Sequence, residues 1–347
     1  MKILHCADIH LDSSLRTNLT GEQAAIRNNE ILLTFKDMVE YGRREGVKIV
    51  LIAGDLFDSD IRSPKTMQVL ADCIQTNTDM DFLYIRGNHD ENKPLPELEG
   101  LPNFRVFEHG ICAYRYGRVC ITGISELSMC RYLRLSASDI NIVVFHGELP
   151  KKDMPSGLNI DYMAAGHIHR YGVQRIDDRG IFCYSGCLEP RGFDECVQTG
   201  FVIAEMNEQI PAGRTGNVRI KFVPFGRRQA HIVSVRMQAD ATTPSLCRMI
   251  EDVSDGISSG DIVKAELTGE TAPGQTIDYT YIEQYFKDRF FAFRLEDRTS
   301  VSRSCETAKA VGPIGERFVK LVMDSEEPED VKKFILEKGL NALRGVY

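Results

Sequence analysis

Up to Leu101, short apolar runs alternate with helical periodicity. "MKILHCAD", "VKIVLIAGD" and "DFLYIRG" are near-continuous apolar stretches of the length and composition of buried strands. Between the first two, "EQAAIRNNEILLTFKDMVEYGRREG" carries Ile26, Leu32, Leu33, Phe35 and Val39 at helical spacing and ends on Gly46. "SPKTMQVLADCIQ" opens on Ser63 and Pro64, a helix-start pair. Strands and helices taking turns imply a parallel sheet layered with helices.

Beyond Leu101 the period shortens. "FRVFEHG", "ICAYRYGRVCITGIS", "INIVVFHGE" and "YMAAGHIH" read as strands, and "YGVQRIDDRGIFCYSG" as a hairpin about a polar Asp-Asp-Arg-Gly turn. "GFVIAEMNE" and "NVRIKFVPFG" close this part, so a first domain of residues 1–225 with two facing sheets and outer helices is expected. Over 230–300, the helical "TPSLCRMIEDVSDGI" and "IDYTYIEQYFKDRF" alternate with the strands "DIVKAELTGE" and "RFFAFRLED", a small α+β unit. Residues 305–347 close with "GERFVKLVMD" and "EDVKKFILEKGLNALRG", both amphipathic helices.

Composition narrows the class. At 347 residues the chain exceeds the usual single domain, and 27% charged with 43% hydrophobic residues is ordinary for a soluble globular protein. There is no apolar run of about 18 residues to span a bilayer, so no membrane role is expected. "MKILHCADIHLD" lacks the apolar core and cleavage site of a signal peptide and reads as mature sequence. Ten cysteines lie scattered with no C-x-x-C pair, Cys183 and Cys187 being the closest two, which suggests reduced thiols and a cytoplasmic setting. The net charge is −8, and neither 1–225 nor 226–347 is basic. A nucleic-acid surface would need a local patch, for which Arg16, Arg62, Lys65, Arg86, Arg131, Arg134, Arg170 and Arg191 are candidates.

Five stretches each place ligand-type side chains just past a predicted strand, at the edge where α/β sheets build sites. They are "ADIH" (Asp8, His10), "AGDLFD" (Asp55, Asp58), "RGNHD" (Asn88, His89, Asp90), "VFHGE" (His146) and "AGHIH" (His167, His169), and they hold five of the eight histidines. In extended chain, residues two apart project to one side, so Asp8 with His10, and His167 with His169, can each aim two donors at one place. Asp55 is the best candidate to bridge two cations with its two oxygens. A single Asp-x-His is commonly surface polarity, and a single Asn-His-Asp commonly a turn. The ordered series is what points to a site for two divalent metals, which would polarise a phosphoryl group and activate water for in-line attack. An oxygen and imidazole set without thiolates suits Mn²⁺, Fe or Zn²⁺ better than Ca²⁺ or a structural Zn site, and Mn²⁺ is the first expectation among the three. His5, His109 and His231 lack such companions and read as structural or surface residues.

The ordered D-x-H, G-D, G-N-H-D, H and G-H-x-H motifs resemble the calcineurin-like metallophosphoesterases over Met1 to about Asp194. Within that superfamily, "CADIHLDSS", "GDLFDSDIRSP", "GNHD", "GHIHR" and "YSGCLEPRGFDE" are most similar to SbcD-type DNA repair exonucleases. The resemblance implies a four-layer α-β-β-α sandwich with a small α+β capping domain and C-terminal helices. It implies one metal on Asp8, His10, Asp55 and His169 and the other on Asp55, Asn88, His146 and His167. His89 would then contact the scissile phosphate, with Asp90 orienting its ring. Asp58 is equally a ligand support or a turn residue. Cys187 departs from the small Ser or Gly common in relatives. The implied partners are DNA, an SMC-like ATPase of the SbcC type docked through the C-terminal helices, and a second copy in a homodimer. A phosphoesterase for small nucleotide diesters or phosphomonoesters, and a non-catalytic scaffold on the same fold, are the alternatives.

Overall fold

In the computed structural model, which describes residues 1–15, 19–58, 62–90, 94–210, 216–238, 240–271, 275–301 and 312–343, the leading apolar runs form parallel strands. These are β1 (Lys2–Cys6), β2 (Ile49–Ala53) and β3 (Asp81–Ile85), with β4 (Phe104–Val106) added beside β3. A second set follows: β5 (Ile111–Tyr116), β6 (Val119–Ile124), β7 (Ile140–His146), β8 (Tyr162–Gly166), β9 (Gly172–Arg175) and β10 (Ile181–Tyr184). The chain then returns through β11 (Gly200–Met206) and β12 (Val218–Pro224). The first sheet has the order β12-β11-β1-β2-β3-β4 and the second β5-β6-β7-β8-β10-β9. β6, β7, β8 and β10 are parallel, and β9 and β10 form the expected hairpin.

The two sheets pack face to face. Ile3, Ile49, Leu51 and Leu83 of one share a buried core with Ile121, Ile142, Val144 and Tyr162 of the other. α1 (Gly21–Arg44), α2 (Pro64–Thr76) and the single turn α3 (Pro96–Glu99) belong to the connections of the first sheet. Over the outer face of the second sheet, Val143, Phe145 and Met163 are covered by Cys130, Leu133, Leu149 and Ile160. The elements supplying that cover are 3-10 turns at Leu127–Tyr132 and Lys151–Asp153 with their loops, so this layer is built of turns.

α1 starts at a capping box, in which the Gln23 amide donates to the Thr20 hydroxyl and the Thr20 amide to the Gln23 side chain. Its buried face runs through Ala24, Arg27, Ile31, Leu32, Phe35, Met38 and Val39, whereas Ile26 and Leu33 are exposed. The apolar pattern misplaces this face because a cation holds one of its core positions. Arg27, 1% exposed, donates to Glu30 (2.7 Å), to Glu189 Oε2 (2.9 Å) and to the Pro190 carbonyl (3.1 Å). Glu189 also accepts from the Thr34 hydroxyl (2.6 Å) and the Arg227 amide (2.7 Å). The buried pair thus anchors the stretch after β10 to α1.

Residues 1–229 form one compact unit and 230–347 another. In the second, β13 (Ala230–Met237), β14 (Ile262–Thr271) and β15 (Ala292–Asp297) run parallel. α4 (Thr243–Val253) and α5 (Tyr279–Phe286) alternate with them, and Leu246, Ile250, Ala265, Ile282 and Phe286 fill the core. The helices Pro313–Met323 and Glu329–Leu343 pack together, with the Phe318 ring over Gly339.

Cutting Arg27 back to alanine leaves Glu189 buried without its cation. Arg27→Ala is expected to cost about 3–5 kcal/mol, read as a fall in the denaturation midpoint at unchanged slope.

Candidate metal centre

The ends of β1, β2, β3, β7 and β8 deliver their polar residues to one place. The turns that do this are strained: Asp8 (φ 52°), His10 (φ 50°), Asp55 (φ 49°) and His167 (φ 95°) all lie in the left-handed region. Each costs about 1–3 kcal/mol, and cross-links between loops hold them there. The Asp8 amide donates to the Gly54 carbonyl (3.1 Å), and the Ile9 and His10 amides both donate to the Asp55 carbonyl (2.9 and 3.0 Å). The His167 amide donates to the Asp8 carboxylate (3.0 Å), and the His89 amide to Asp55 Oδ1 (2.9 Å). Two glycines make room: a Cβ on Gly54 would meet His146 Nδ1 at 2.0 Å, and one on Gly87 would meet Asp55 Oδ1 at 2.1 Å.

All seven expected donors converge, in two groups. In the first, His10 Nε2 faces His169 Nε2 at 3.3 Å, His169 Nε2 lies 3.7 Å from Asp8 Oδ1, and His10 Nε2 lies 3.8 Å from Asp55 Oδ2. In the second, Asn88 Oδ1 stands between His146 Nε2 (3.0 Å) and His167 Nδ1 (3.1 Å), and His146 Nε2 is 3.2 Å from Asp55 Oδ2. Asp55 Oδ1 is held by the His89 amide, so Oδ2 is the oxygen that faces both groups, where one oxygen toward each cation was the expectation. Asp8, His10 and Asp55 are buried, the other three imidazoles are partly buried, and Asn88 is exposed.

The inward atoms fit divalent cations. Two imidazole nitrogens 3.3 Å apart can share one proton at most, and the ring nitrogens on the far side are oriented by acceptors. His146 Nδ1 lies 2.9 Å from the Ala53 carbonyl, His10 Nδ1 3.1 Å from Asp58 Oδ1, and His169 Nδ1 2.5 Å from Glu195 Oε1. Burial pushes the Asp8 carboxyl up to about 6, against the pull of His146 and His169, and burial lowers His10 to about 4. Burial opposes charge on both His146 and Asp55, yet their hydrogen bond and mutual attraction raise the imidazole to about 9 and lower the carboxyl to about 2. A proton on His146 is thus favoured beside Asp55, and a cation held by these two residues would take its place.

The structure gives Asp90 a different job from the one the resemblance implies. Its oxygens accept from the Gly87 amide (2.7 Å), the Leu56 amide (2.8 Å) and the Phe57 amide (3.3 Å), while His89 Nδ1 lies 3.0 Å from the Asp58 carbonyl. With both oxygens committed to main chain, Asp90 holds the loop and leaves the ring of His89 to Asp58. Asp58 resolves as a support: it meets His10, accepts from Ser13 (2.9 Å), and pairs with Arg191 (2.5 Å).

Glu195 and Tyr184 are the contributors that pattern reading leaves without a role, although both lie in the "YSGCLEPRGFDE" stretch that carries the resemblance. The Tyr184 hydroxyl accepts from the Leu149 amide (2.9 Å) and donates to the Gly147 carbonyl (3.1 Å), fixing the loop after His146. Cys187 is buried with its sulfur 3.9 Å from Glu195 Oε2, and burial keeps its thiol protonated. His5 is buried against the Tyr162 hydroxyl (2.7 Å), His231 pairs with Asp261 (3.0 Å), and His109 is exposed.

The basic patch is thinner than the sequence suggests. Arg191 is bound to Asp58 and Glu195, Arg86 to Glu99 (2.8 Å), and Arg62 lies over the Phe57 ring and donates to the Pro94 carbonyl (3.1 Å). Lys65, Arg131, Arg134 and Arg170 are exposed, and Arg16 lies outside the described residues.

Residues 1–171 match the family described as calcineurin-like phosphoesterase. The chain carries a calcineurin-like metallophosphoesterase domain, a hydrolase fold for phosphoester bonds that binds two divalent metals. It is 25% identical over 237 residues to the uncharacterized metallophosphoesterase YhaO of Bacillus subtilis, covering 59% of this chain and 57% of that relative. Over 402 aligned positions it is 25% identical to the DNA double-strand break repair protein Mre11 of Methanopyrus kandleri, covering 100% of this chain and 83% of the relative. A shorter match, 33% identical over 98 residues, links it to a component of the nuclease SbcCD of Staphylococcus epidermidis, covering 27% and 24% of the two chains.

Gly87→Ala is expected to displace Asp55 and abolish tight Mn²⁺ binding while the far-ultraviolet circular dichroism stays that of the parent. Retention of parental Mn²⁺ affinity by calorimetry would remove the close approach as a constraint.

Proposed function

We propose that the protein is a two-metal phosphodiesterase that cleaves DNA, an SbcD-like exonuclease or endonuclease of DNA repair. The observation that carries the reading is the convergence of two donor groups on Asp55, one of Asp8, His10 and His169 and one of Asn88, His146 and His167, with Asp55 Oδ2 facing His10 of the first and His146 of the second. Asp8, His10, Asp55 and His169 would hold one cation, and Asp55, Asn88, His146 and His167 the other. Bound there, the two cations, Mn²⁺ first among the candidates, polarise the phosphoryl group and activate water.

His89 is the catalytic side chain of this reading. It is exposed at the rim of the centre, its ring 5.0 Å from that of His10 and edge-on to it. With Nδ1–H donating to the Asp58 carbonyl, Nε2 is the nitrogen left for substrate, and in the imidazolium form it would contact the scissile phosphate and pass its own proton to the leaving oxygen. Asp90 serves it through the loop main chain. The choice of DNA rests on likeness to the Mre11 and SbcCD relatives, since metals read phosphate and leave substrate to the surrounding surface.

The partner reading follows the same likeness. Ile314, Leu321 and Phe334 stand 69%, 67% and 60% exposed on the two C-terminal helices. An SMC-like ATPase would cover such side chains on docking, with residues 230–300 as the capping domain. A homodimer and a cytoplasmic setting belong to the same proposal.

His89→Ala is expected to keep Mn²⁺ binding and lose hydrolysis, by about 10²–10⁴-fold, whereas Asp55→Asn loses both. Calorimetry and single-turnover cleavage read the two effects apart, and normal cleavage by His89→Ala would remove it from the mechanism. With Mn²⁺, linear duplex or single-stranded DNA is expected to be cut in a salt-sensitive manner. Hydrolysis confined to small nucleotide diesters or phosphomonoesters, indifferent to salt, would replace the nuclease with a small-substrate phosphoesterase.

A further inference from the structure

The two donor groups share Asp55 but differ in what stands behind them. Asp8, a second buried carboxylate, is within ligand reach of His169 in the first group and of His146 in the second, so the difference lies behind the imidazoles: in the first group Glu195 accepts from the far nitrogen of His169 (2.5 Å), and a carboxylate oxygen of Asp58 lies 3.1 Å from that of His10. Arg191 joins those two supports, with Nη1 on Asp58 Oδ1 (2.5 Å), Nη2 on Glu195 Oε1 (3.3 Å), and its amide on Glu195 Oε2 (2.6 Å). In the second group Asn88 is neutral, and His146 is backed by the Ala53 carbonyl. His167 is partly exposed, and the acid acting on it besides Asp55 is Glu148, itself exposed and screened by water.

Charge and burial therefore favour the first group. A carboxylate accepting from the far nitrogen makes an imidazole a stronger donor, and buried carboxylates attract a cation through a lower dielectric than exposed ones. Arg191 offsets the repulsion between Asp58 and Glu195 and fixes the angle of both rings.

We propose that Glu195, Arg191 and Asp58 are positioning residues that make the Asp8–His10–Asp55–His169 pole the tighter cation site, filled first, and leave the Asn88–His146–His167 pole exchangeable. This rests on the two-metal reading above.

The test is a Mn²⁺ titration of the full chain followed by electron paramagnetic resonance. Two affinity classes are expected, with the signal of an isolated ion up to the first equivalent and that of a coupled pair beyond it. Glu195→Gln keeps an acceptor of the same size and removes the charge; it should weaken the first class by about tenfold or more and the second by less than about twofold. Asp58→Asn reaches the same pole through His10 and should weaken the same class, and it carries the test if Glu195→Gln does not fold. Two equal classes, coupled-pair signal from the first additions, loss in the second class alone, or unchanged binding in the folded variants would overturn the proposal. Failure of the unmodified protein to bind Mn²⁺ at all would overturn the two-metal reading itself.

Discussion

Asp55 sits where β2 stops, with one oxygen on the His89 amide and the other facing imidazoles carried by both sheets. His10 comes from the first sheet, and His146 from the second. The face-to-face packing of the sheets is thus what closes the centre, and a shift of one sheet against the other would pull the donors apart. The apolar core between them, from Ile3 and Leu51 to Ile142 and Tyr162, is the rigid part of the chemistry. Coupling runs the other way too. Asp55 Oδ1 accepts from the His89 amide, so the main chain that carries His89 is tied to the carboxylate at the middle of the centre.

Much of the cationic inventory serves this unit internally. Arg27 ties α1 to Glu189, Arg227 and Arg228 pair with Asp37 and Glu30 on the same helix, and Arg191 braces Asp58 and Glu195. The first and last of these hold the segment after β10, and the pairs of Arg227 and Arg228 hold the segment after β12 to α1. Under the proposed function, a chain of net charge −8 would meet a polyanion through its metals and a few exposed side chains, rather than through a general positive field.

The parallel strands and the ligand series are legible in the chain because each has a short-range signature: apolar runs of strand length, and donors at the points where those runs stop. The hairpin of β9 and β10 is legible through its turn residues, with Asp177 accepting from the Arg179 and Gly180 amides. What periodicity misses depends on distant partners. Ile26 and Leu33 look like core until Arg27 finds Glu189, separated from it by 162 positions. Asp90 looks like the support of the residue beside it, yet the amides of Leu56 and Phe57 reach it from another loop. Glu195 has no meaning until the fold brings it to His169.

Four of the seven candidate ligands occupy left-handed backbone. Among residues with a side chain, Asp, Asn and His adopt that conformation most readily, and they are also the residues that supply oxygen and imidazole donors to hard and borderline metals. The strand ends of this fold thus draw on an alphabet in which backbone fitness and ligand fitness coincide. A descendant released from catalysis would be expected to drift at Asp8, His10, Asp55 and His167 toward asparagine or glycine before any aliphatic residue. The vacated centre would then keep the outline of a metal site long after the chemistry was gone.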